Sequence, residues 1–174
     1  MTQQIDNDSP RLEPAPRFLA DRMLGKLARW LRILGYDTAY LPQLSPEGIL
    51  REGRRQQRMI LTRNTCLLRR KDPPPLVFVQ SDHFREQLKQ VVETCGLDPQ
   101  HHLLTRCIEC NWVLEEVTKD QVRDQVPAYV WQTQDIFRRC PRCNRIYWGA
   151  THRDQVLNEL QQIGVIREET PGQN

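Results

Sequence analysis

Over the first hundred residues the apolar positions switch back and forth between two periods. Arg17–Ala20 is a short continuous apolar run, the mark of a buried strand. Met23, Leu24, Leu27, Trp30, Leu31 and Leu34 then recur at helical spacing, and Gly35 is placed to end that helix. Thr38–Leu41 predicts a second strand. Pro46 opens a helix running to about Gln57, since proline suits a first turn. Met59–Thr62 predicts a third strand, after which Asn64 can cap a short helix through Arg70. Beyond the rigid Pro73-Pro74-Pro75 break, Leu76–Gln80 predicts a fourth strand. Asp82 can cap a helix through about Cys95, closed by Gly96.

Strand and helix therefore alternate four times at short spacing, which implies parallel strands joined by right-handed crossovers: an α/β fold. The block ends near Asp98-Pro99, and a boundary is expected around 99–104. Residues 99–153 lack long periodicity and carry paired cysteines, tryptophan and tyrosine, and a last helix is expected near Asp154–Gln162 within a C-terminal segment 154–174. Residues 1–16 are polar, hold three prolines and show no period, so they read as a disordered tail.

Charge adds one distinction. The chain of 174 residues carries a net +3, with −2 on residues 1–16, +6 on 17–98 and −1 on 99–174. The α/β block is thus the basic one, as expected for a polyanion partner, although a basic excess also occurs on ordinary solvated surfaces. No stretch approaches the roughly 20 apolar residues of a membrane span, and the N-terminus lacks an apolar signal region. A cytoplasmic protein without a membrane partner is the expectation.

The cysteines sharpen the second part. Cys107-Ile-Glu-Cys110 and Cys140-Pro-Arg-Cys143 are two CxxC turns separated by 29 residues. Each turn can present two thiolates to one ion, and two turns together give a tetrahedral sulfur site suited to Zn²⁺. Redox dithiols or an iron–sulfur cluster are the rival chemistries. The long spacer must hold strands or a small excursion, and so small a segment needs a metal staple. Cys66 and Cys95 have no paired partner and read as buried small hydrophobes. His101 and His102 read as linker residues, and His152 as a residue that either faces a ligand or does not.

In an open parallel sheet, ligands bind beyond the carboxyl ends of the strands. Asp21 follows the first strand, Asn64 the third and Asp82 the fourth. If those strands are neighbours, the side chains converge, and an oxygen-rich cluster suits Mg²⁺ or Mn²⁺. The alternative is that Asn64 and Asp82 cap helices and Asp21 pairs with an arginine. On the first helix Arg22, Lys26 and Arg29 form a stripe opposite the apolar face, extended by Arg32. Such a stripe can hold a phosphate backbone or simply face water.

The run Phe18-Leu-Ala-Asp21-Arg-Met-Leu-Gly-Lys-Leu-Ala-Arg-Trp-Leu-Arg-Ile-Leu-Gly-Tyr-Asp37 resembles the opening of the Mut-seven C-terminal ribonuclease domain family. Leu61-Thr-Arg-Asn64, Ser81-Asp82, Val126-Pro-Ala-Tyr129 and the CxxC pairs are similar to its later landmarks, so that the resemblance spans roughly residues 17–153. It implies a PIN-like α/β domain over 17–98, a zinc ribbon over 99–153, metal-dependent ribonuclease activity and a bacterial or archaeal cytoplasm. Carried over residue by residue, Asp21 and Asp82 match two of the family's acids. Where the family has an Asp near the start of the second helix, Glu47 is the nearest substitute. The Leu-Thr-Arg motif, which in the family ends in Asp, ends here in Asn64. The resemblance therefore implies an Mg²⁺ or Mn²⁺ site made of Asp21, Glu47, Asn64 and Asp82. RNA would be held by Arg22, Lys26, Arg29, Arg32 and Arg63.

Three function classes follow: a ribonuclease, a non-catalytic RNA-binding module with the same fold, and a protein-interaction adaptor working through the ribbon. Cleavage of labelled RNA separates the first from the others.

Overall fold

The computed structural model describes residues 15–100 and 102–166, without the side chains of residues 150–152. The expectations for residues 1–14, His101 and the side chain of His152 lie outside the described residues.

Four strands, β1 (Phe18–Ala20), β2 (Thr38–Tyr40), β3 (Met59–Thr62) and β4 (Leu76–Phe78), form one parallel sheet in the order β2-β1-β3-β4. The sheet is α/β in the predicted sense. Its central strands are the apolar ones: all three residues of β1 are fully buried, as are Ile60 and Leu61 of β3. Period-two alternation deals their side chains to two faces. Phe18, Ala20 and Leu61 look toward helices α1 (Gly25–Ile33), α4 (Phe84–Thr94) and α6 (Ala150–Ile163). Leu19 and Ile60 look toward α2 (Pro46–Gln56) and α3 (Thr65–Leu68). The second face packs closely because position 53 is glycine, where a Cβ would stand 2.8 Å from the Ile60 Cδ1 methyl.

The helix boundaries follow from capping. Ser45 accepts from the Gly48 N–H at 3.1 Å and Pro46 occupies the first turn of α2. Asn64 Oδ1 accepts from the Cys66 N–H at 3.0 Å, which starts α3 as expected. Asp82 does not cap α4. The chain enters that helix one residue later, at His83, with no side-chain cap, and Asp82 turns instead to Arg63. Gly35 ends α1 with φ +90°, and its missing Cβ leaves room for the His102 carbonyl, which a Cβ would approach to 2.1 Å. Three further details differ from the sequence reading. Met23 lies in a 3-10 turn (Arg22–Leu24) ahead of α1 and is 60% exposed. Cys66 is exposed, because the four-residue α3 turns Leu67 inward and Cys66 outward. The last helix begins at Ala150, four residues early, and sends Val156, Leu160 and Ile163 into the α/β core.

Between the sheet and α6 lies an antiparallel sheet of β5 (Glu115–Val117), β6 (Phe137–Arg139) and β7 (Ile146–Trp148), in that order. The long spacer holds a 3-10 turn (Lys119–Val122) and α5 (Ala128–Thr133), packed through Val122, Val126, Val130 and Phe137. Among the described residues no helix is long and apolar enough to cross a membrane.

Candidate functional site

Two places in the molecule gather chemistry. The first is the pair of cysteine turns. Cys107 and Cys140 occupy equivalent positions: each N–H bonds a carbonyl five residues on (Trp112, Arg145), and each carbonyl accepts from an asparagine four residues on. Those asparagines, Asn111 and Asn144, both adopt positive φ, 67° and 58°. The repeated Cys-x-x-Cys-Asn pattern is the sequence signal for this symmetry, since asparagine tolerates the left-handed conformation.

The four thiols of Cys107, Cys110, Cys140 and Cys143 all lie within 4.8 Å of one another. Sulfur separations of 3.3 Å (Cys110–Cys107, Cys110–Cys140) and 3.7 Å (Cys107–Cys143) match the about 3.8 Å between ligands of a tetrahedron with about 2.3 Å Zn–S bonds. The Cys107 thiol is resisted by burial, yet the Tyr147 hydroxyl at 3.1 Å and the Cys110 and Glu109 N–H groups bring its pKa down to about 6. Burial and the neighbouring sulfurs push Cys110 up instead. One thiolate is favoured and a second is repelled, a conflict that a divalent cation removes. The donor set and spacing therefore fit a zinc ion.

The turns are fastened to the α/β part. Arg32, expected in the RNA stripe, is 6% exposed. Its guanidinium donates to the carbonyls of Ile108 and Glu109 (2.8 Å each) and, through Nε, to that of Thr38 (2.9 Å). Three main-chain acceptors consume it, so it has no surface left for a phosphate. Arg29 ion-pairs with Glu109, which also meets Arg145 at 3.2 Å. Asn111 donates to Asp37 at 2.6 Å and accepts from the Thr38 N–H at 3.0 Å. Burial would raise the Asp37 carboxyl, but Arg58, Asn111 and Arg17 outweigh it and hold the pKa at about 2. Arg17, Asp37 and Arg58 stand at the amino ends of β1, β2 and β3.

The second place is the carboxyl edge of the sheet. β1 is joined through α1 to β2 on one side, while β3 is joined through α3 to β4 on the other, so the chain direction diverges between β1 and β3. Such a switch point opens the crevice where α/β sheets hold ligands. Asp21 sits there, 8% exposed, and its Oδ2 accepts from the Thr62 hydroxyl at 2.6 Å. Thr62 in turn accepts from the Asn64 N–H at 2.9 Å. Thr62, Asp37, Asn111 and Tyr147 were not singled out from the sequence; Thr62 carried a signal as the polar end of an otherwise apolar strand.

The other acids of the expected site have their charge already matched. Asp82, with its side chain 81% exposed, pairs with Arg63, whose Nη1 also donates to the Gln80 carbonyl at 2.8 Å. Glu47 pairs with Arg70. Among the described residues no group of three or more acids or histidines comes as close together as the four thiols. Asp21, Glu47 and Asp82 are thus arranged as separate donors and not as a closed cage. On the 3-10 turn and α1 the stripe is reduced to Arg22, Lys26 and Arg29, all exposed, with Lys26 Nζ 3.6 Å from the centre of the Phe84 ring.

The family model of the Mut7-C RNAse domain matches residues 16–160, from two residues before β1 into the last helix. The chain belongs to the Mut7-C RNAse domain family. The match takes in the Asp21 crevice and the cysteine turns in one unit, and it makes a nuclease the coarse functional class. Comparisons with curated proteins and with solved structures returned no match.

Proposed function

We propose that this chain is a ribonuclease that cleaves RNA phosphodiester bonds at the Asp21 crevice with a divalent ion, and that it carries one structural zinc on Cys107, Cys110, Cys140 and Cys143. The observation that supports it best is the placement of Asp21: a nearly buried carboxylate at the sheet's switch point, held by Thr62 from the neighbouring strand. A buried acid oriented by a neutral hydroxyl, with no ion-pair partner among the described residues, leaves an oxygen available for a cation or a reacting water.

The donors suit Mg²⁺ or Mn²⁺ in the open style, in which one or two carboxylates hold the ion and substrate phosphate and water complete its shell. Asp21 and Asp82 would hold it, with Glu47 and Asn64 as outer donors; bound there, it would lower the pKa of water and offset charge on the phosphate. Arg22, the residue after Asp21, and Lys26, one turn further along, would hold the RNA backbone. Arg63 would release Asp82 to become a phosphate contact. Thr62 fixes the Asp21 carboxylate before substrate arrives, so that no reorientation is needed at the moment of reaction.

A second reading has its own support. Asn64 stands where the family has an acid, and its oxygen is spent on the Cys66 N–H. Together with the Asp82–Arg63 and Glu47–Arg70 pairs, this favours an RNA-binding module that has lost cleavage. Incubation of the purified chain with end-labelled single-stranded RNA, with and without added Mg²⁺ or Mn²⁺, decides between them. Metal-dependent products support the enzyme, whereas intact RNA retained by the protein supports the module.

A further inference from the structure

A cleft of about 1050 Å³ lies away from the Asp21 crevice. It lies between the free edge of β2 and the two cysteine turns, bounded by Tyr40, Leu41, Asp37, Arg106, Trp112 and Arg142. Its volume stands at the upper end of the roughly 300–1,000 Å³ of small-molecule sites, leaving room for a segment of a polymer.

An edge strand in a cleft invites an added peptide strand. Here that route is blocked, because the outward N–H of Thr38 is taken by Asn111 Oδ1 and its carbonyl by Arg32 Nε. The wall offers other chemistry. Trp112 is 52% exposed although its carbonyl is fixed by the Cys107 N–H at 2.8 Å, so a rigid turn presents an indole to solvent. A rigid exposed aromatic is a stacking platform for a nucleobase. The acids Asp37 and Glu109 are both matched by arginines. Arg106 donates only to the carbonyls of Gly35 and Asn111, at 2.9 and 2.8 Å, and Arg142 forms no ion pair among the described residues. Glu115 is the one acid on the wall without such a match, so two cations outnumber it.

The cleft also leads to the proposed site. At its far end the Tyr40 hydroxyl donates to the carbonyl of Arg22, the residue after Asp21, at 2.9 Å. From Asp37 to Leu41 the β2 edge covers about 13 Å at about 3.3 Å per residue, so it joins the cysteine turns at one end of the sheet to the Asp21 edge at the other.

We propose that this cleft holds a single-stranded segment of the RNA substrate, with a base stacked on Trp112 and a phosphate on Arg142, and guides the strand toward Asp21. The proposal rests on the ribonuclease reading for its choice of polymer, but it concerns binding and can fail independently.

The test is fluorescence anisotropy of a labelled single-stranded 12-nucleotide RNA with the full chain in Mg²⁺-free buffer, with the zinc content of every variant measured alongside. Trp112→Ala should weaken binding roughly 5- to 150-fold, the range for loss of one base stack, and Trp112→Tyr should recover most of it. Arg142→Ala should lower the log–log salt slope by about 0.7, as for one lost contact to a single strand. Should Trp112→Ala lose zinc, Arg142→Ala carries the comparison. Wild-type binding with Trp112→Ala and Arg142→Ala both unchanged overturns the cleft proposal and leaves the ribonuclease reading standing. A wild-type chain that binds no RNA removes both.

Discussion

The hydroxyl of Thr62, at the carboxyl end of β3, donates to Oδ2 of Asp21, at the carboxyl end of β1, at 2.6 Å. Both side chains are at least nine-tenths buried, and the bond bridges the two strands between which the chain reverses its winding. Thr62→Val keeps the shape and removes the donor, leaving a buried carboxylate one partner short. The expected cost is about 1–3 kcal/mol, with RNA cleavage reduced more than RNA affinity. Thr62→Ser should restore both. Urea unfolding and single-turnover cleavage of the three proteins measure this. Equal cleavage by wild type and Thr62→Val would show that the hydroxyl does not orient Asp21.

The elements of the α/β part were legible because period and punctuation agree. Short apolar runs such as Phe18-Leu19-Ala20, set between helical patterns, fit a strand between two helical layers, and Ser45-Pro46, Asn64 and Gly35 mark boundaries by local chemistry alone. The four-cysteine cluster was legible for the same reason, since a CxxC turn is a local object. What could not be read was pairing across the chain. Arg32 has the spacing of a surface stripe, yet it serves carbonyls seventy-six and seventy-seven residues away. Asp82 looks like a helix cap, yet the chain enters α4 at His83, so it meets Arg63 instead. Such choices are set by tertiary packing, which no local pattern encodes.

The burial of Arg32 gives it a structural consequence. With one zinc per chain, Cys140→Ser should unfold the ribbon, because structural zinc supplies on the order of 10 kcal/mol of folding free energy. Arg32→Ala should keep zinc but loosen the joint, with a loss of about 2–4 kcal/mol from three carbonyls left without a charged donor. Elemental analysis and thermal melts check both. Iron in place of zinc, or an Arg32→Ala melt equal to wild type, would contradict this.

Asp37 predicts a pH dependence. Its folded pKa of about 2 lies below the ordinary carboxylate value of 3.8. The group binds its proton more weakly when folded, so its contribution is fully present above about pH 4 and is lost as pH falls toward 2. The size is at most about 2 kcal/mol, less after solvent screening of the Arg17 side. Wild type should therefore be more stable than Asp37→Asn at pH 6 and lose that margin by pH 2. A margin independent of pH would deny the ion pairs their role.

Asn64 offers one side-chain oxygen, and the Cys66 N–H occupies it. Asn64→Asp supplies two oxygens, one to keep the cap and one to face the crevice. Asp caps about as well as Asn, so stability should change by less than about 0.5 kcal/mol, while cleavage should reach half-maximal rate at lower Mg²⁺. Metal titrations of the two proteins that superimpose would place Asn64 outside the metal's surroundings.

The central claim is that Asp21 carries the cleavage of RNA, and the most direct measurement is the rate at which wild type and Asp21→Asn cleave a labelled single-stranded RNA in saturating Mg²⁺ or Mn²⁺, with RNA affinity measured alongside. Asp21→Asn keeps an acceptor for Thr62 and removes the charge. The account predicts cleavage by the wild type, a loss of at least about 100-fold in the variant, of the order expected when a positioned acid–base or charge-stabilising group is removed, and RNA affinity within a few-fold of wild type. Cleavage at the same rate by both proteins, or by neither, would contradict it.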